Sequence, residues 1–462
     1  MNNLKSALLI AGAIYGLNAQ AATIAIIDSG TDMKHTDFSE YVWMNPVDNT
    51  NNNRDEDRNG YQDDIYGWNF AESNNEVIDY SYLGTLNDEI KKFFAVQAKM
   101  MLGTVNSEEL AWLRSKVEDR EFIKTLGIYG NFMHGTHVAG IAVKNLQDSK
   151  MFAVKLIPTE VKLPGQKALM AQLDELRKEN ARDEKGLGSK LVKFGLKQLA
   201  TAQMTQMNEI AYYVDGHKAD VANGSFGTGY KQAKTLVEML LLQIKVKPTQ
   251  EQLDEYVQYF LKTLIDKGSD MVAKAPNTLF VFAAGNDGMD NDRFPTSPTN
   301  IQADNEISVA ATIGFNKLAP FSNYGEVEVD VAAPGVNILS AAPGDEHIRI
   351  SGTSQAAPYV ANVAAKIKEE NNSLTPKQIK EIIMGTVDLK SWLGGKVKTS
   401  GVVNEGRAVY AAELSRTQSV DSAISDSLSS VSDVQTFEDK GLMMDLPFVQ
   451  EAILPLPSPF KF

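Results

Sequence analysis

The sequence predicts an α/β protein built on a mostly parallel sheet with helices on both faces, and two observations carry that prediction. Short β-branched runs end in turn residues at TIAIIDSGTD, MFAVKLI and NTLFVFAAGNDG. Helix-forming stretches, HGTHVAGIAVKNL and the segment from about 188 to 213, fall between them. Strands that alternate with helices are the pattern of parallel sheets, in which chemistry gathers beyond the carboxyl ends of the strands.

The elements follow in chain order. Lys5, an apolar run from Ala7 to Leu17, and the small residues of Ala19-Gln20-Ala21 meet the criteria for a signal peptide over residues 1–21. The protein is therefore expected to be exported: secreted, periplasmic or held at the cell surface. The apolar run is shorter than the roughly 20 residues that cross a bilayer, so no stable membrane span is expected. The first strand ends at Asp28. An acidic loop, NNNRDEDRNGYQDDIYGWNF, then spaces Asp55, Asp57 and Asn59 ahead of Gly60, with Asp63 and Asp64 following. That spacing matches the front half of an EF-hand loop, although Tyr66 stands where a glutamate would close it. A structural calcium ion held by these five side chains is the cofactor expected, against a solvated acidic turn.

Three helical insertions, near 83–127, 158–185 and 230–274, are expected to interrupt a domain spanning 22–412. In the first, Phe93, Phe94, Met100, Met101, Leu110, Trp112 and Leu113 fall at helical spacing and read as core. Beyond 412 the character changes: eight serines lie between Ser415 and Ser432, and the chain ends in LPFVQEAILPLPSPFKF. Residues 413–462 are expected to form a Ser-rich flexible tail with a sticky end.

Composition removes several classes of function. Of 462 residues, 43% are hydrophobic and 23% charged, so most of the chain should fold. Forty-five basic against 59 acidic residues leave a net charge of −14, spread along the chain, which disfavours the concentrated basic face that nucleic acid requires. With no cysteine, thiol catalysis and disulfides are ruled out.

Acyl transfer by a serine needs a nucleophile, a base, a carboxylate to hold the base and donors for the oxyanion. Four blocks supply candidates: Asp28 in AIIDSGTD, His134 opening HGTHVAG, Asn286 in FAAGNDG and Ser354 in SGTSQAAP. Each also has a plain structural reading. Asp28 and Asn286 could be turn residues, Ser354 a helix cap, and His134 a packed side chain. HGTH lacks the glutamate and spacing of the HExxH zinc pattern.

Together, the four blocks resemble the motifs of the subtilisin-like serine proteases, the subtilases, in the chain order Asp, His, Ser known for that family. The resemblance implies that Asp28 orients the imidazole, His134 is the general base and Ser354 the nucleophile. It implies that Asn286 donates to the oxyanion, and it leaves His137 a packing role. Asn223-Gly224-Ser225-Phe226-Gly227 resembles the family's substrate-binding strand, and Ala284 and Gly285 are implied as further substrate-binding residues in the pocket walls. The function so implied is an exported serine endopeptidase acting on proteins or peptides. The alternative is a catalytically silent subtilase-like module that binds peptides or partners; an esterase would carry a GxSxG elbow, which Ser354 lacks. Secreted members of the family commonly carry a folding propeptide, yet Asp28 stands about seven positions past the predicted cleavage site. The tail is therefore expected to dock near the cleft, inhibit it intramolecularly and be trimmed during maturation.

Overall fold

The computed structural model describes residues 21–160, 187–244, 246–434 and 448–459. Strand β1 (Thr23–Asp28) is buried along nearly its whole length, and its side chains alternate between two cores. Ile24 and Ile26 enter one; Ala25 and Ile27 enter the other. Strand β5 (Leu279–Ala283) repeats the pattern, with Val281 on the first side and Phe280 and Phe282 on the second. A period of two with both faces apolar is what a sheet covered on both sides demands.

The other strands are β2 (Gly67–Asn69), β3 (Lys150–Lys155), β4 (Val221–Gly224), β6 (Glu306–Ile313), β7 (Lys317–Leu318) and β8 (Val331–Pro334). A separate hairpin pairs β9 (Ile338–Ala342) with β10 (Glu346–Ile350), and β11 (Asp388–Leu389) and β12 (Gly401–Val402) complete the sheet. Its order is β11-β12-β8-β6-β5-β4-β1-β3-β2. Neighbours on this path run parallel except β11 with β12, and β7 pairs antiparallel with β6 off the path.

On the first face lie α1 (Asp88–Leu102), α2 (Ser107–Glu118) and α3 (Arg120–Ala142). The second carries α4 (Leu187–Gly216), α5 (Tyr230–Gln243) and α6 (Gln250–Val272). Helices α7 (Thr353–Glu370), α8 (Pro376–Gly385) and α9 (Glu405–Leu414) return to the first face. The first insertion thus forms α1, α2 and the start of α3, with Asn87, Asn106 and Asp119 capping the three N-termini. The third forms α5 and α6. Most of the second, and the signal-peptide segment, lie outside the described residues.

Two expectations fail. HGTHVAG does not open a helix, because α3 runs unbroken from Arg120 and places His134 in its interior. Gly127 and Gly130 weaken such a helix but, with no proline, do not stop it. Nor is the segment after 412 simply flexible. Residues Val420–Ser430 form α10, capped by Ser419, with Ala423 and Ser427 buried. Residues 448–459 lie against the body of the protein, with Val449, Ala452, Ile453 and Leu456 in its first core.

Candidate active site

Strand register brings the candidates to one edge. Ile27 of β1 lies opposite Gly224 of β4, and Gly224 opposite Phe282 of β5. Asp28, Ser225 and the turn Ala284-Gly285-Asn286 therefore emerge beyond the same carboxyl ends. Helix α3 crosses this edge at Gly135, where a Cβ would stand 2.2 Å from the Gly30 carbonyl oxygen and 3.1 Å from Asp28 Cβ. Only glycine lets the helix come so close.

That approach sets His134 Nδ1 2.7 Å from Asp28 Oδ1. The carboxylate only accepts, so Nδ1 donates to it and Nε2 is the nitrogen left for a proton transfer, the orientation a general base needs. Asp28 is fully buried, and the Ser29 N–H also donates to its Oδ1 at 2.7 Å. His137 is different. Its Nε2 lies 3.2 and 3.1 Å from the carbonyl oxygens of Ile338 and Ile348, so it must be the donor there. Complete burial pushes its pKa down to about 3, and it serves as a neutral strut between α3 and the β9–β10 hairpin. The remaining histidines have structural partners: His35 with the Glu346 carbonyl, His217 with Asp64 and His347 with Asp37.

Ser354 is the second residue of α7, behind an N-cap at Gly352, so it is not itself the cap. Its Oγ donates to the Ser225 carbonyl at 3.3 Å, while Ser225 Oγ donates to the Ser354 carbonyl at 3.0 Å. Asn286 is oriented from behind. Its Oδ1 accepts from the N–H and Oγ1 of Thr353 at 2.9 and 2.8 Å, which turns the amide nitrogen away from Thr353. Gly285 holds φ +118°, and a Cβ there would stand 2.4 Å from Asn323 Nδ2. Within the candidate substrate strand, Gly227 offers its N–H to the cleft, whereas Asn223 Nδ2 supports Ser225 Oγ at 3.0 Å. Gly224 makes room for the Phe282 ring, and Phe226 and Ala284 are buried as walls.

The profile of the Subtilase family matches residues 19–406. The chain belongs to the subtilase family. A thermostable alkaline protease of Halalkalibacterium halodurans is 38% identical over 131 residues, which cover 28% of this chain and 34% of that protein. An extracellular basic protease of Dichelobacter nodosus is 38% identical over 160 residues, covering 32% of this chain and 25% of its own. The aligned stretches thus span about a third or less of these relatives. Among solved structures, a cold-adapted subtilisin-like serine proteinase aligns with 83% of this subtilase and 86% of its own chain, at 19% identity and a TM-score of 0.40.

The acidic loop of this subtilase turns at Gly60, at φ +94°, and the carboxylates that converge in it are not all those its spacing named. Asp63 accepts from the N–H groups of Asn52 and Asn53, and Asp64 from Asn45, Asn59, Tyr213 and His217. Both carboxylates are thereby committed to holding the loop. Asn59 likewise spends its Oδ1 on the Tyr61 N–H. Asp55 and Asp57 also accept bonds within the loop, Asp55 from the N–H groups of Asn59 and Gly60 and Asp57 from the Asn59 N–H and Asn45 Nδ2, but they converge with Asp48, their oxygens all within 4.8 Å of one another. Asp48 is buried, and its Oδ1 has no hydrogen-bond partner among the described residues. Burial, then Glu56 beside it, raises its pKa to about 6. Three hard oxygen donors, one of them buried and unpartnered, fit a calcium ion. Asp48 lies seven positions ahead of the regular spacing, which is why a motif search passes it by.

The tail, expected near the cleft, is seated there by contacts that the sequence does not mark. Asn286 Nδ2 donates to the carbonyl of Leu454 at 3.0 Å, and the Gly227 N–H to that of Pro457 at 2.9 Å. Gln97 Nε2 of α1 reaches the Ala452 carbonyl at 2.6 Å, and Gln232 Nε2 of α5 that of Leu456 at 3.0 Å. Gln450 Nε2 returns a bond to the Asn286 carbonyl at 2.6 Å. Nothing in the local sequence marks Gln97 or Gln232 for this task.

Proposed function

We propose that this subtilase is an exported serine endopeptidase whose catalytic domain, residues 22–412, is held inactive by its own C-terminal segment. In the reaction, Ser354 Oγ turns from Ser225 toward His134 Nε2, gives up its proton there and bonds to the substrate carbonyl carbon. Asn286 Nδ2 and the Ser354 N–H stabilise the oxyanion at the positive end of α7. His134 then returns the proton to the leaving nitrogen, the C–N bond breaks, and water hydrolyses the acyl-enzyme in the same two steps. Asp28 keeps the imidazole in the required tautomer. The observation that carries this reading is the 2.7 Å bond between buried Asp28 and His134, at the strand edge where Asn286 and Ser354 are joined through Thr353.

Protein or peptide is the substrate class. Calcium would be held by Asp48, Asp55 and Asp57 and would supply structural cross-linking. Export is supported by the apolar N-terminal segment, and no helix among the described residues is long and apolar enough to cross a membrane.

The inhibited state is tested by loosening the tail without touching the triad. Gln97→Ala with Gln450→Ala removes two hydrogen bonds, worth about 1 kcal/mol each, so hydrolysis of a chromogenic peptide should rise by about thirtyfold. A loosened chain that hydrolyses nothing defeats the reading.

A further inference from the structure

We propose that the segment 448–459 is a hydrolysis-resistant inhibitor of the cleft it covers, and that the resistance resides in Pro455. This rests on the protease reading above and adds to it the reason the chain does not destroy its own inhibitor.

Between Ala452 and Pro457 the cleft binds the tail through carbonyls: Gln97, Asn286, Gln232 and the Gly227 N–H donate, and the tail accepts. Prolines at 455, 457 and 459 have no N–H to offer. The segment is thus recognised as a row of acceptors, not as an added β-strand, which would exchange bonds in both directions. The carbonyl set against the oxyanion donor belongs to Leu454, whose side chain packs over Gly130, one turn before His134. The bond exposed to attack is therefore Leu454–Pro455.

Cleavage there would join Ser354 Oγ to the Leu454 carbonyl carbon and pass the serine proton through His134 to the Pro455 nitrogen as the C–N bond breaks. In proline the ring Cδ occupies the place of the amide hydrogen, beside the lone pair that must receive this proton. The general acid is obstructed and the tetrahedral adduct returns to its starting state. Pro455 is exposed while Leu456 and Pro457 after it are buried, so packing gives no reason for a proline at 455. Activation then requires displacing the segment or cutting it elsewhere.

The test uses the full chain. Pro455→Ala should release residues 455–462, seen by mass spectrometry as a chain ending at Leu454, on the order of 10²-fold faster than wild type. Adding Ser354→Ala should keep the tail intact, excluding a contaminating protease. A synthetic peptide of residues 448–459 should inhibit the Gln97→Ala/Gln450→Ala chain, and the same peptide with alanine for proline at 455 should be cut after Leu454. Wild type truncated at Leu454 at a comparable rate overturns the proposal. So does a Pro455→Ala chain that stays whole while the loosened chain labels with a fluorophosphonate. If the loosened chain does not label, the protease reading has failed and takes this one with it.

Discussion

Gly135→Ala tests how the fold builds the base. The added Cβ would stand 2.2 Å from the Gly30 carbonyl oxygen, whereas ordinary contact begins at 3.4 Å, so the helix and the β1 turn must separate by about 1.2 Å. The obstacle is backbone, not the far end of a flexible side chain, and the separation acts directly on the 2.7 Å His134–Asp28 bond. A misplacement of about 1 Å costs on the order of 10² in turnover. Stability should change less. Overpacking costs about 1–3 kcal/mol, and replacing glycine inside a helix returns about 1 kcal/mol. The assay is kcat on a chromogenic peptide in the Gln97→Ala/Gln450→Ala chain, with thermal unfolding alongside. Gly127→Ala, on the same helix with nothing within 4 Å of its added Cβ, is the control and should keep full activity. A Gly135→Ala chain with unchanged kcat would refute the geometry.

Other outcomes follow from the same structure. Asn286→Ala in the loosened chain should lower kcat by about 10²–10³, a range measured on subtilisin, a member of this family, with KM changed much less; equal loss in both would make Asn286 a binding group only. Chelation should lower the melting temperature of wild type but not of Asp48→Ala. With calcium at a hundred times its Kd, the stabilisation lost is about 2.7 kcal/mol, and an unmoved melting curve ends the calcium assignment. His137 has its folded pKa depressed to about 3 from 6.5, so its contribution is complete above pH 6.5 and drains away as pH falls toward 3. The slope is about 1.4 kcal/mol per pH unit. Urea midpoints of His137→Gln across that range should depend less steeply on pH, and parallel profiles would exclude the buried neutral imidazole.

Much of the catalytic edge was legible because its determinants are local. A β-branched run followed by Asp-Ser-Gly fixes where β1 stops, and the turn after FAAG fixes Asn286. Both bear on chemistry because a parallel sheet lines up its strand ends. His134 was legible as a residue but not as a position: whether α3 starts at His134 or at Arg120 depends on Asp119 capping a helix that the insertion itself supplies. Asp48 was hidden because its closeness to Asp55 and Asp57 comes from loop closure, not spacing. Docking of the tail near the cleft was expected, but the contacts that seat it were hidden most deeply. Gln97 and Ala452 are 355 positions apart, and no periodicity in either stretch encodes a contact of that range. Its sticky composition and its place near the cleft were readable; the side chains that hold it there were not.

Ser354 acts as a nucleophile activated by His134 and screened by the tail. A fluorophosphonate probe measures this directly, with the modified residue located by peptide mapping. Labelling should fall on Ser354, run faster in the Gln97→Ala/Gln450→Ala chain than in wild type, and disappear when His134→Ala is added. Folded, loosened protein that leaves Ser354 unlabelled, or labelling that survives the loss of His134, would contradict the account.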